Sequence, residues 1–310
     1  MSEFFTTTAI VATLASGIRL SAPFLIAALG ESVGQRAGVL NLGVEGVMLI
    51  GAYAAYKTAL ETGNVLAAVF VAILMGVLMG AIYAFITVVM HAQQGISGIG
   101  IYLFGLGITD LLFQKQVGTP KPIDGLRSTS VPLLGDIPTV GEIFFHHNLL
   151  VYVAYLLIPV VWFVVNRTTF GLNIRAVGET PEAVDTLGVS VTWTRVSAIL
   201  IGNALAALAG AALALEIGIF QYNLTAGQGF IAIALVYFGA WRPSGIMAGA
   251  LLFGVVSSTV LQWKTLGIVS GSASSFTAMA PAVLTILVLV VVSRRIGQPS
   301  ALTKPFDRSD

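Results

Sequence analysis

The chain has no cysteine, which excludes disulfides, thiolate metal sites and cysteine nucleophiles. Its three histidines, His91, His146 and His147, are too few and too scattered for a histidine-rich metal site. Charge is scarce: Asp, Glu, Lys and Arg make up 9% of 310 residues, against 56% hydrophobic, where soluble domains carry about 25% charged residues. A soluble fold is excluded on that ground. The net charge of +1 comes from scattered residues and marks no nucleic-acid surface. Ten-residue segments of alternating polarity are missing, so a β-barrel is not supported. Nowhere does G-x-x-x-x-G-K-[ST] occur, so the chain has no phosphate loop of its own.

What is present is a series of uncharged runs. The clearest are 65–90, 149–165, 196–215, 245–262 and 280–292, with weaker ones at 8–29, 39–56, 96–109 and 229–241. About 20 apolar residues cross a bilayer as helix, so the expectation is an all-α polytopic membrane protein with about 8–10 spans. Run 229–241 is short and reads as a tilted span or one arm of a re-entrant hairpin. The N-terminus lacks the basic region and cleavage site of a signal peptide, and is expected to stay as the first membrane helix.

Lysine and arginine set the orientation. Placing loop 166–194 and the tail after Ser293 inside puts Arg36, Arg167, Arg175, Arg195, Arg242, Arg294, Arg295, Lys304 and Arg308 there. Lys57, Lys115, Lys121, Arg127 and Lys264 then lie outside, and Arg19 stays within a span. This predicts nine spans or near-spans, N-terminus out and C-terminus in. Loop 115–147, with four prolines, is too polar to span and reads as an ordered outer connection or a docking surface.

The stretch GESVGQRAGVLNLGVEGVMLIG, 30–51, puts polar groups between apolar runs. Glu31, Gln35 and Arg36 are expected at the membrane surface. Asn41 and Glu45 are predicted one turn apart on one helix face. A carboxylate inside a span costs roughly 2.5–3.5 kcal/mol, so Glu45 should either line a wet pathway or pair with Arg19. Gln221, Asn223 and Gln228, in the polar break before 229, are candidates for binding a polar substrate or for capping broken helices. The stretches 41–53 and 223–239 echo each other, each placing an amide or carboxylate beside glycine at the mouth of an apolar helix, as repeats in transporters do.

Residues 180–188, TPEAVDTLG, write a short helix. Thr180 can cap it, Pro181 suits the first helical position, Glu182 complements the dipole and Gly188 can take the left-handed stop. So short a helix is marginal alone and must be held against something.

RAVGETPEAVDTLGV resembles the cytoplasmic loop of ABC-importer permeases, in which a short coupling helix sits in a cleft of the ATPase subunit. Together with GVLNLGVEGVMLIGA, GQGFIAIALVYFGAWRPSG and PSALTKPF, it resembles the sugar and nucleoside branch of the branched-chain amino-acid/ribose permease family. Gln35 departs from the acidic residue expected before Arg36. The resemblance implies a type II (vitamin B12-type) bundle with a central second helix. It implies one transmembrane permease domain over 1–310, a cytoplasmic coupling loop at 166–195 and a cytoplasmic tail at 294–310. Arg175, Gly178, Glu179, Pro181, Glu182, Ala183 and Gly188 would then couple to the ATPase. The implied partners are a separate ATPase, a second, non-identical permease and an extracytoplasmic substrate-binding protein. The chain would be no enzyme and hold no metal or cofactor, the ATP being used by the partner, and it would sit multi-pass in the inner membrane. Nucleosides or simple sugars are the implied cargo. The competing reading is an ion-coupled secondary carrier for a small polar solute, using Glu45 or Asp110.

Overall fold

The computed structural model describes residues 6–267, 276–277, 279–292 and 297–307. Twelve helices follow one another among them: α1 Thr7–Arg36, α2 Val44–Thr62, α3 Val65–Ala84 (continued by a π-helical turn, Phe85–Val89), α4 Gln94–Gln116, α5 Val140–Phe144 and α6 Leu149–Arg167; then α7 Thr169–Glu179, α8 Pro181–Thr186, α9 Val191–Ile217, α10 Gln228–Phe238, α11 Pro243–Thr265 and α12 Ala280–Val292. The strand content described is one two-residue antiparallel ladder, β1 Thr129–Ser130 with β2 His146–His147. Boundaries follow local chemistry. The side chains of Asn64, Asn148 and Ser190 accept backbone N–H groups at the starts of α3, α6 and α9, satisfying donors a helix start leaves open. Gly63 and Gly218 stop α2 and α9 in the left-handed conformation.

Six helices are long and apolar enough to cross a membrane: α1, α3 with its π turn, α4, α6, α9 and α11. The remaining predicted runs became α2, which carries Glu45, Lys57 and Glu61, and the shorter α10 and α12. At 11 residues, α10 rises only about 16 Å. Along α3, Leu66, Phe70, Leu74, Leu78 and Ile82 are all exposed, one at every fourth position. Such a continuous apolar stripe is unfavourable in water and at home in lipid. The protein is a polytopic helical membrane protein.

The interior is built on α1, α2 and α9. Every residue of α2 from Val44 to Tyr53 is buried, and α9 is its main partner, followed by α3 and α4. Small residues set the spacing. A Cβ on Gly210 would lie 1.8 Å from the Met48 carbonyl oxygen, and one on Gly51 would lie 2.3 Å from that of Ala207. The backbones of α2 and α9 thus touch where side chains would hold them apart, the way membrane helices gain packing without a hydrophobic drive.

The bundle has two unlike ends. At one, α7 and α8 lie beside the end of α1, and the tail is bound in: Ala301 N donates to Gly178 O (2.9 Å), Thr303 N to Gly38 O (3.1 Å) and Arg195 Nη1 to Lys304 O (3.0 Å). At the other, loop 117–139 folds over the end of α9, with Ile123 N on Gly218 O and Leu126 N on Leu215 O. Tyr56 Oη donates to Lys121 O there. Residues 294–296 and 308–310 of the expected tail lie outside the described residues.

Candidate functional site

Glu45 sits in the first turn of α2 and is buried, 1% exposed. Its carboxylate accepts from Thr225 Oγ1 (2.6 Å), Gly227 N (2.7 Å) and Gly229 N (2.6 Å). Those backbone donors belong to the start of α10. The positive ends of two helices, α2 and α10, therefore converge on one negative charge, which is where such a charge is stabilised. The two stretches that echo each other in sequence meet at this point. A Cβ on Gly229 would fall 2.6 Å from the Glu45 backbone, so glycine is what lets the two helix starts touch.

Arg19 pairs elsewhere. Its Nε lies 3.1 Å from Glu216 Oε1, and Glu216 also accepts from Asn148 Nδ2. Of the two readings open for Glu45, the pair with Arg19 is thus replaced by Arg19–Glu216. Arg19 is about 25 Å along α1 from Arg36, at the level of the α6 start, whereas Glu45 is reached from the Arg36 end. Sequence proximity to Pro23 and the first span hid that difference in depth.

Asn41 is not one helical turn before Glu45, because α2 starts at Val44. It lies in the non-helical link from α1, where Asn41 Oδ1 accepts from Gly43 N (2.8 Å) and Asn41 Nδ2 donates to Asn203 Oδ1 (3.1 Å). Nor do Glu31 and Gln35 lie at the surface; they are 4% and 0% exposed. Trp241 Nε1 donates to Gln35 Oε1, Gln35 Nε2 to Glu31 Oε1, and Asn41 N to the same Glu31 oxygen. A connected polar chain thus runs from the α10–α11 turn to the middle of α9. Next to it, Gln94 and Tyr83 satisfy the backbone of the same link: Leu40 N donates to Gln94 Oε1 and Tyr83 Oη donates to Leu40 O. Asn203 and Glu216, polar residues on the otherwise apolar α9, were the sequence signal for these partners; Tyr83 and Gln94 carried none.

The break between α9 and α10 holds the three remaining polar candidates. Gln221 is exposed, while Asn223 and Gln228 are half-buried. Asn223 Oδ1 and Gln228 Oε1 are buried atoms with no hydrogen-bond partner, two acceptors open to a donor from outside the chain. Asn223 takes a positive φ of 51°, a conformation asparagine tolerates better than most residues. Neither amide caps a helix, since the start of α10 has no side-chain cap.

The short helix α8 forms where expected, with Pro181 at its start and Gly188 left-handed after it, although Thr180 makes no side-chain cap. It is held by its own chain: Val184 packs with Val177 and Val191 in an apolar cluster that Phe306 of the tail covers. The outward surface carries Glu182 and Ala183, both exposed, flanked by Leu187 at 81% and Trp193 at 70% exposure. Arg175 is half-buried. Gly178 turns inward, where a Cβ would sit 2.0 Å from Arg36 O, whereas Glu179 is exposed and its Oε2 accepts from Ser300 Oγ of the tail (2.9 Å).

Comparison with known proteins places this geometry. A putative glucose ABC transporter permease from Haloferax volcanii is 36% identical, over 94% of this chain and 96% of its own length. A guanosine ABC transporter permease from Bacillus subtilis is 35% identical over 92% of this chain and 93% of its own. A second guanosine ABC transporter permease of that organism is 28% identical over 76% and 69%. No solved structure is a significant match. The family described as "Branched-chain amino acid transport system / permease component" matches residues 13–292, and the chain, itself a polytopic helical bundle with a short helix held out at one end, belongs to it.

Proposed function

We infer that this chain is the permease subunit of an ATP-driven importer of nucleosides or simple sugars, forming half of the pathway beside a second, non-identical permease. The observation that carries this reading is α8. It is anchored on its inner side by Pro181 and Val184 and offers Glu182, Ala183, Leu187 and Trp193 to a partner. An apolar surface of that kind beside a membrane bundle calls for a protein neighbour, and a phosphate-loop ATPase is the neighbour the family supplies. The glucose and guanosine relatives support the cargo class, and the paired Bacillus subtilis permeases support the second subunit. ATP is then hydrolysed by the partner, and this chain is a conduit and not an enzyme.

The end bearing α7, α8 and the tail faces the cytoplasm in this reading. Arg36, Arg167, Arg175, Arg195 and Arg242 belong to that end, in line with the bias of short cytoplasmic loops toward positive residues. A substrate-binding protein delivers cargo at the opposite end, and the membrane is the inner one. Of the polar candidates, Asn223 and Gln228 are offered to the hydroxyls of passing cargo through their unpartnered carbonyl oxygens. Asn41 and Glu45 act on the pathway indirectly, by fixing where α2 and α10 begin.

Reconstitution tests the reading. The chain alone in proteoliposomes is expected to move no solute with or without ATP. With the ATPase and second permease it is expected to take up cargo, and Ala183→Trp, which overfills the docking face, is expected to abolish ATP-coupled uptake with normal membrane insertion. Uptake by the lone subunit driven by a proton gradient would overturn it in favour of a secondary carrier.

A further inference from the structure

At the α7–α8 end, a cavity of about 370 Å³ opens between the last turn of α1, α7, the α10–α11 turn and the tail. Arg36, Arg175, Glu179, Trp241 and Pro299 line it. Arg36 is fixed at the edge: its Nε and Nη2 both donate to the Trp241 carbonyl, at 3.0 and 2.7 Å. That carbonyl is held in place by an unusual turn, in which Ala240 and Trp241 both take positive φ, 51° and 57°, without being glycine. Arg175 lines the same cavity, and Arg242 follows Trp241 directly in the chain. Arg175 donates through Nε to Gly171 O, and its terminal nitrogens are left over.

Two guanidiniums, those of Arg36 and Arg175, thus line one opening, with Arg242 next in the chain to the lining residue Trp241, and among the described residues no carboxylate is within ion-pair distance of any of the three. Glu179 lines the same cavity, but its Oε2 is taken by the hydroxyl and N–H of Ser300. Like charges brought together in this way repel unless an anion joins them, and planar guanidinium forks fit the paired oxygens of phosphate. The opening lies at the end of the spans, beside the edge-to-face rings of Tyr237 and Trp241 (5.0 Å between centroids), residue types enriched at the level of lipid headgroups.

We propose that this cavity is a binding site for a phosphate-bearing anion, held between Arg36, Arg175 and Arg242. Its place at the headgroup level lets an anionic phospholipid supply that phosphate, since basic pockets between membrane helices take such headgroups. Free inorganic phosphate offers the same chemistry from the aqueous side. An anion seated there ties α7, next to the coupling helix α8, to the turn before α11.

The test uses the full-length chain in neutral detergent, with unfolding followed by tryptophan fluorescence. Phosphatidylglycerol or cardiolipin is expected to raise the unfolding midpoint where phosphatidylcholine does not. Arg242→Gln, at an exposed position, and Arg175→Gln are each expected to weaken the apparent lipid affinity about tenfold or more. Arg127→Gln in the opposite-end loop is the control and is expected to leave it unchanged. Stabilisation by millimolar inorganic phosphate that competes with the lipid assigns the site to free phosphate, and its failure to do so assigns it to the headgroup; both support the phosphate site. Equal responses to anionic and neutral lipid with no effect of phosphate would overturn it. So would an unaltered response in both cavity variants, or arginines that respond only to an acidic surface of the ATPase.

Discussion

Replacing Glu45 by Gln keeps the shape of the side chain and changes only what its far end can accept. In the folded protein, Thr225 Oγ1, Gly227 N and Gly229 N all donate to the carboxylate, the first two to one oxygen and the third to the other. A glutamine can still receive Thr225 and Gly227 on its single oxygen, but Gly229 N then faces an NH2 group. Leaving one buried donor without an acceptor costs about 1–3 kcal/mol. The two surviving bonds lose their charge assistance, about 1 kcal/mol each, and the start of α10 loses a dipole partner worth roughly 0.3–2 kcal/mol. A loss of about 4 kcal/mol in stability is therefore expected for Glu45→Gln, visible as a fall of several degrees in the unfolding midpoint in nanodiscs. Hydrogen exchange should quicken first at 225–231, where α10 begins. Arg19→Met added to Glu45→Gln should restore nothing, because Arg19 is held by Glu216. The reasoning is refuted if Glu45→Gln unfolds with the wild type and fails only in transport, for then the carboxylate serves the cargo and not the helix starts.

Three further outcomes are expected. In double-mutant cycles read from unfolding, Arg19→Met with Glu216→Gln should show a measurable coupling, because the two side chains pair directly, whereas Arg19 with Glu45 should be additive within about 0.5 kcal/mol. Truncation after Gln298 removes the acceptor of the buried Arg195 guanidinium and the donors to Gly178 and Gly38, so backbone exchange at 38–40 and 176–180 should quicken roughly 30-fold, the equivalent of about 2 kcal/mol; unchanged exchange would show that the tail is only an appendage. Burial holds the His147 imidazole below its usual pKa of 6.5, so the unfolded chain takes up the proton first and stability falls as pH drops through about 6.5; His147→Gln should flatten that dependence in the loop around β2, as read by exchange at pH 7.5 and 5.5.

Bilayer class and helix placement were legible in the sequence because they depend on one-dimensional quantities. The uncharged runs are decided by composition along the chain. Also legible was α8, whose start and stop are marked by Pro181, Glu182 and Gly188, although packing of Val184 is what holds so short a helix in place. The partners of buried charges could not be read this way. Hydropathy records that Arg19 and Glu45 are costly in lipid, yet not the depth at which each meets another helix, and it left the buried Glu31 at the membrane surface. That depth depends on how the link 37–43 re-enters the bundle and on α10 spanning only part of it. Close backbone contacts such as Gly210 on Met48 bring α2 to α9, and only then do Asn41 and Asn203, 162 residues apart, share a hydrogen bond. The sequence by itself determined which residues could not face lipid. Tertiary packing alone decided that Glu45 would be answered by the backbone of α10, Arg19 by Glu216, and Arg36 by the carbonyl of Trp241, because a buried polar group takes whatever donor or acceptor the fold brings within about 3 Å.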